Sequence, residues 1–375
     1  TAVSGVGYFV NTTAGAITVT LPASPSAGDV VAVSDYAGTA DTNAITIGRN
    51  SSNINGAAAD LNVSKENSAI TLVYVDGTQG WKATDTSNLS DIELQPTYIT
   101  ATGGTITTVD TDYKVHTFTG PGTFTVSTLG NPTGGPSNVD YLVVAGGGSG
   151  GSDYAGGGGA GGYRESPGTA SGSYAVSPRG ASPAVALPVS VQGYTITIGA
   201  GGGPRTADGQ RGLSGNPSTF STITSTAGGG GGTEGTPGPT TKIGLPGGSG
   251  GAGSYGPTAG GSGNTPPVSP AQGTDGGAGG APLVGGGGGG AIAAGTAGSN
   301  PGTVSGPGGA GATSSINGTP TARAGGGGGA GGGSPYGQGY TPGTGGSGGG
   351  GAGAPTCGGS GGDGTINTGS GGGGG

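Results

Sequence analysis

The chain has 375 residues, of which 103 are glycine and only 7% are charged. Its formal net charge of −8 argues against nucleic acid as a partner, since gripping a phosphate backbone needs many clustered Lys and Arg. A single cysteine, Cys357, excludes an intrachain disulfide, and no apolar run nears the about eighteen residues of a membrane-spanning helix. The composition changes near Ala145. Residues 1–145 hold 16 glycines with 12 acidic and 4 basic residues, whereas residues 146–375 hold 87 glycines with 6 of each charge. The net charge therefore sits on the front, and the back differs from the strongly basic Arg-Gly tails that bind RNA. No signal peptide is legible, methionine is absent, and Gly371 to Gly375 end within a glycine run. The sequence therefore reads as part of a longer polypeptide.

Residues 1–90 read as one β-rich module. "GAITVTL" (15–21) alternates Ile17, Val19 and Leu21 with threonines, the period-two pattern of a half-buried strand. "DVVAVSDY" (29–36) and "NAITIGR" (43–49) repeat it. "SAITLVYVDGTQGW" (68–81) reads as a strand and an Asp76-Gly77 hairpin turn, and Asn55-Gly56 as a second turn. Ala57, Ala58 and Ala59 could start a short helical turn.

Residues 91–144 read as a short β module or connector. Strands are expected at 104–109, 113–119 and 123–127, separated by Asp110-Thr111-Asp112 and Gly120-Pro121-Gly122, followed by "YLVV" at 141–144.

Residues 145–375 form the glycine-rich part. Strands are expected at about 193–198 and 218–226, each running straight into glycine as "YLVV" does, and strands fade after residue 227. Glycine runs such as 155–162, 285–290, 324–333 and 345–353 alternate with connectors such as "SYGPT" (254–258) and "SPYGQGYTPG" (334–343). Composition alone would give a flexible linker. Collagen needs glycine at every third position and is excluded by "AGGGGAGGYRESPGTA". The remaining reading is a bundle of polyglycine II helices, with three residues per turn, no internal hydrogen bonds and N–H and C=O groups pointing sideways to neighbours. On this reading 285–290 is an interior helix, and 155–162, with its alanines, a rim helix.

Catalytic chemistry finds little support. His116 is the only histidine and alternates along a strand; Cys357 lies among small connector residues. Asp110 and Asp112 read as turn residues rather than as a calcium or glycosidase pair. The many Gly-x-Gly-x-x-Gly matches lack the following helix and acidic residue of a dinucleotide site. No catalytic, metal or cofactor residue is assigned. Tyr255, Tyr336 and Tyr340 stand in connectors and are the candidate receptor-binding residues, since tyrosine suits interfaces; they could equally cap the bundle ends.

The order strand, glycine, Tyr163-Arg164, strand, glycine over 139–232 resembles the glycine-rich domain of bacteriophage tail fibres and tail adhesins. Residues 7–81 resemble a β-rich repeat module of tail fibres from phages of aquatic bacteria. The resemblance covers 7–81 and 139–232 directly, and the remainder matches in composition. It implies a non-catalytic virion tail fibre or adhesin, extracellular, that attaches to a polysaccharide or outer-membrane protein of the host. Homotrimers and other tail proteins are the expected partners, without nucleic acid or membrane insertion. The expected fold is all-β with polyglycine II: β-sandwich-like N-terminal modules followed by a glycine-rich bundle. A cellular extracellular filament subunit is the alternative, with a surface polysaccharide depolymerase or an ice-binding protein as weaker ones.

Overall fold

The computed structural model describes residues 1–86, 92–131, 133–172, 174–205, 207–235, 239–299, 301–332, 339–356 and 359–375. The chain is nearly all-β, with 26% strand and 1% helix. Two compact units are present: residues 1–100 with 128–137, and residues 101–127 with 138–375.

In the first unit the strands are β1 (Val6–Val10), β2 (Ile17–Thr20), β3 (Val30–Asp35), β4 (Ile45–Gly48), β5 (Leu61–Val63), β6 (Ala69–Asp76), β7 (Gly80–Thr86) and β8 (Ile92–Leu94). They form two four-stranded sheets, β1-β3-β6-β7 and β2-β4-β5-β8. The first four strands alternate between the sheets, so β1 pairs with β3, and β2 with β4, in parallel. The remaining pairs are antiparallel.

The alternation in the sequence places Val31 and Val33, Ile45 and Ile47, Leu61 and Val63, and Ile70 and Leu72 in one core drawn from both sheets. Trp81 is fully buried there, edge-on to Tyr74 at 5.5 Å. β2 is an edge strand and obeys its pattern only in part: Leu21 just beyond it is buried, while Ile17 is 39% exposed. The three alanines form no helix; Ile54 and Ala57 bridge across the Asn55-Gly56 turn, whose two residues both have positive φ. The turn after Asp76 is longer than the two residues expected. Asp76 Oδ1 accepts the N–H groups of Thr78 (2.8 Å) and Gln79 (2.6 Å). It closes at Gly80, where φ is +67° and a side chain would strike the Asn53 backbone.

In the second unit the strands are β9 (Thr100–Thr102), β10 (Thr105–Val109), β11 (Tyr113–Thr117), β12 (Gly122–Thr128), β13 (Asn138–Val139), β14 (Leu142–Val144), β15 (Tyr163–Glu165), β16 (Leu187–Pro188), β17 (Gly193–Thr197), β18 (Ser218–Phe220), β19 (Ile223–Ser225), β20 (Ala312–Ser314) and β21 (Thr321–Arg323). A five-stranded sheet runs β19-β18-β17-β12-β9. The single strand expected at 218–226 is instead the β18–β19 hairpin, reversed at Ser221, which has φ +53°. Strands do not end at residue 227 either, since β20 and β21 form a later hairpin.

Beyond these sheets the glycine segments form a hydrogen-bonded array with a period of three. Along 156–162, the N–H groups of Gly156, Gly159 and Gly162 donate to Gly232, Gly229 and Thr226. Those of Gly157 and Ala160 donate to Gly286 and Gly289, and those of Gly158 and Gly161 to Gly372 and Gly369. The carbonyls address three further neighbours by the same rule. Gly156, Gly159 and Gly162 accept from Gly151, Gly148 and Ala145; Gly157 and Ala160 accept from Ala252 and Ser249; Gly158 accepts from Gly327. One segment thus contacts six others. Segment 285–290 repeats this, donating to 324–330, 250–253 and 293–296 and accepting from 306–309, 157–160 and Gly277.

Glycine is required because an added Cβ at Gly156, Gly157, Gly158 or Gly288 would come closer than 3.0 Å to a backbone atom of a neighbouring segment. The interior position of 285–290 follows. Segment 155–162, expected at the rim, is interior as well: Ala155 and Ala160 are fully buried. Ala160 is accommodated in a buried cluster with Tyr163 and three further alanines, Ala291, Ala312 and Ala324. Run 345–353 is not one segment but two arms reversing at 347–349, where Gly348 and Gly349 have φ of +96° and +100°.

Candidate recognition surface

The array has two distinct ends. At the end where 162 lies, segments continue into β14, β15, β18, β19 and the β20–β21 hairpin. At the end where 155 lies, they reverse through short connectors: 152–154, 207–210, 255–258, 281–283 and 301–304 among the described ones. Four of the connectors at this end are joined by direct contacts. Ser152 Oγ donates to Ala207 O (2.9 Å) and accepts from the Gln210 N–H (2.9 Å). Thr233 Oγ1 donates to Ser152 O, and the Glu234 N–H to Asp153 O (3.3 Å). Arg211 Nη2 donates to Thr240 O.

The fourth connector enters through Tyr255. Its N–H donates to Tyr154 O (3.2 Å), and the two rings meet at 6.1 Å with an interplanar angle of 62°. Lys242 Nζ lies 4.1 Å from the Tyr255 ring centroid, donates to its hydroxyl (3.0 Å), and pairs with Glu234 Oε1 at 3.7 Å. The Tyr255 hydroxyl, with help from Glu234, holds the Lys242 ammonium above its ordinary pKa. Both tyrosines are half-buried, so the rings keep area free for a partner. Asp153 and Tyr154 sit at positive φ (+69° and +48°), which turns the chain at the tip. The arrangement brings aromatic faces, hydroxyls and fixed charges together on hydrogen-bonded supports.

Of the three tyrosines expected to read a receptor, Tyr255 is at the centre of this cluster. Tyr340 lies at the same end of the array, half-buried, beside the 303–305 connector through its neighbour Thr341; among the described residues no hydrogen bond or ring contact links it to Tyr255. Tyr336 and Cys357 lie outside the described residues. No family model matches the chain, and no curated protein matches its sequence.

The other residues weighed for chemistry have structural partners. His116 Nδ1 bonds the Gly103 carbonyl (2.8 Å) and its ring packs edge-on against Phe124 at 5.0 Å. Asp110 and Thr111, both at positive φ, turn β10 into β11. Among the described residues no group of three His, Cys, Asp or Glu could hold a metal ion, and no helix is long and apolar enough to cross a membrane.

Sequence reading missed Tyr154, Lys242, Glu234, Arg205 and Arg211. The available signal was scarcity: residues 146–375 hold only twelve charges, and six of them (Asp153, Arg205, Asp208, Arg211, Glu234 and Lys242) fall in or beside these connectors.

Proposed function

We propose that the chain is a structural adhesin, a segment of a phage tail fibre. Its front module acts as a β-sandwich spacer, and its back is a polyglycine II bundle that presents connectors to the host surface. The observation that carries the reading is the array in which one segment bonds six neighbours with a period of three. That is the pattern expected of helices with three residues per turn that lack internal hydrogen bonds. No glycine of 285–290 or 325–329 has a φ between +20° and +160°, in keeping with the φ near −75° of that helix. Such a bundle is rigid at the backbone, so its connectors can vary without loss of the support that holds them. Attachment to a surface uses rigidity and a fixed cluster of aromatic and charged side chains, and needs no reacting group.

The test uses the whole chain, fluorescently labelled, on a panel of bacteria and in competition with phage infection. Binding to a narrow set of strains, with protection of those strains, supports the adhesin. Absence of binding to every strain, together with open polymers in electron micrographs, would replace it with the filament reading.

A further inference from the structure

This end of the array holds two arginines, Arg205 and Arg211, that form no ion pair with the carboxylates of Asp208 or Glu234. Arg205 and Arg211 flank the 207–209 turn, on two array segments paired with each other through Gly199, Asn216, Ala200 and Gly202. The Nε atoms of both are buried without a hydrogen-bond partner. Among the described residues the one hydrogen bond either guanidinium makes is that of Arg211 Nη2 to the Thr240 carbonyl, which is uncharged. Asp208 stands in the turn between them, exposed, and pairs with neither; the Glu234 carboxylate is engaged by Lys242 instead. Burial depresses the Arg211 pKa, so the guanidinium is partly stripped of water without gaining a counter-charge. A buried donor left unpaired costs about 1–3 kcal/mol, and a guanidinium fork fits planar or tetrahedral oxyanions two bonds at a time.

We propose that Arg205 and Arg211 form an oxyanion-binding site for the phosphate or carboxylate groups of an acidic surface glycan, beside the Tyr154–Tyr255 pair. The proposal deepens the adhesin reading and rests on it for the identity of the partner, but the binding chemistry can be tested without cells. A bound oxyanion would supply the acceptor that each buried Nε lacks. The tyrosine faces then stack on the sugar ring that carries the anion.

The experiment measures binding of the full chain to polyphosphate, polygalacturonate and neutral dextran at low and moderate salt, with R205Q, R211Q and the double variant. The expected result is binding of one or both polyanions but not of dextran, a drop of about tenfold or more in the double variant, and weakening with salt. Preference for polyphosphate assigns a phosphorylated glycan, and preference for polygalacturonate a uronate-bearing one. The double lysine variant keeps the charge but not the fork and should recover only part of the affinity. An unchanged melting temperature establishes that the variants are folded. Equal polyanion binding by the wild type and the folded double variant, or none by either, overturns the site. Labelled-cell binding is scored in parallel: strain binding retained without polyanion binding removes this site and leaves the adhesin standing.

Discussion

At Gly158 a single hydrogen atom in place of a methyl group decides whether two backbones can touch. A Cβ there would come closer than 3.0 Å to the Gly148 carbonyl, whereas at exposed Gly201 the nearest atom is 3.6 Å away. Alanine reduces unfolded-chain freedom and so favours folding by about 0.4–1 kcal/mol, but overpacking costs about 1–3 kcal/mol. Gly158→Ala is therefore expected to destabilise the second unit by roughly 2 kcal/mol or more, and Gly201→Ala to be neutral within about 0.5 kcal/mol. Chemical denaturation of both variants checks this, and equal stabilities would refute the close-packing argument. Asp35 is the matching residue of the first unit. Burial opposes its charge, yet the N–H groups of Ala37, Ala40 and Asn67 at 3.1–3.3 Å, with a further one from Thr39, hold its pKa below the ordinary value. A folded pKa below the unfolded one means that its stabilisation is complete above about pH 4. It is lost as pH falls through the folded value. Asp35→Asn should lower stability at neutral pH by about 2 kcal/mol and flatten the acid limb. Trp81 fluorescence against pH, in both proteins, reads the difference.

Among the segments, 369–375 shows how far the array depends on non-local partners. It supplies the acceptors for the N–H groups of Gly161 (2.8 Å), Gly158 (2.8 Å), Gly351 (3.0 Å) and Ala354 (2.8 Å). Its own N–H groups are taken by Gly325, Gly148, Gly362, Gly328 and Gly151. With the Ala155 N–H, which donates to Gly375 O (3.4 Å), deleting it leaves ten backbone groups without partners. At about 1–3 kcal/mol for each one that stays buried, the sum exceeds the about 5–15 kcal/mol that keeps a domain folded. The truncated chain should lose the array while the first unit stays folded. Amide exchange at Gly158 and Gly161 is the readout, and retained protection at both would contradict this dependence. The connectors follow the opposite rule: Tyr255 and Tyr340 differ in their neighbours although both sit at the same end, so each is expected to be replaceable without loss of the array.

For the molecule as a whole, the two units hold together by different physics. The first buries Val, Ile, Leu and Trp side chains from two sheets. The second buries backbone, with alanine as the commonest side chain of its interior clusters. Heat-capacity change on unfolding follows exposed apolar area, while polar exposure lowers it, so ordinary domains show about 12–15 cal/mol/K per residue. Calorimetry of the whole chain should give a value per residue clearly below that range. The transition followed by Trp81, the single tryptophan, then reports the first unit alone. An ordinary value would mean that the glycine unit buries far more apolar area than its fold contains.

The sequence by itself determined the all-β class, the main strands of the first unit, the change of material near Ala145 and the need for glycine runs packed on one another. These were legible because alternation with period two and the absence of side chains are local properties. Only the tertiary structure decided that 155–162 is interior, that 218–226 is a hairpin, that 345–353 reverses, and that Tyr154, Lys242 and the two arginines join Tyr255 at one end. A glycine carries no side chain to say which backbone it faces, so the partners of a segment are chosen by chain connections that range from a few residues, as between Gly151 and Gly156, to the long one between Gly158 and Gly372. The tyrosines were legible as connector residues, but not their company, because neighbours at the tip come from segments as distant as 154 and 255.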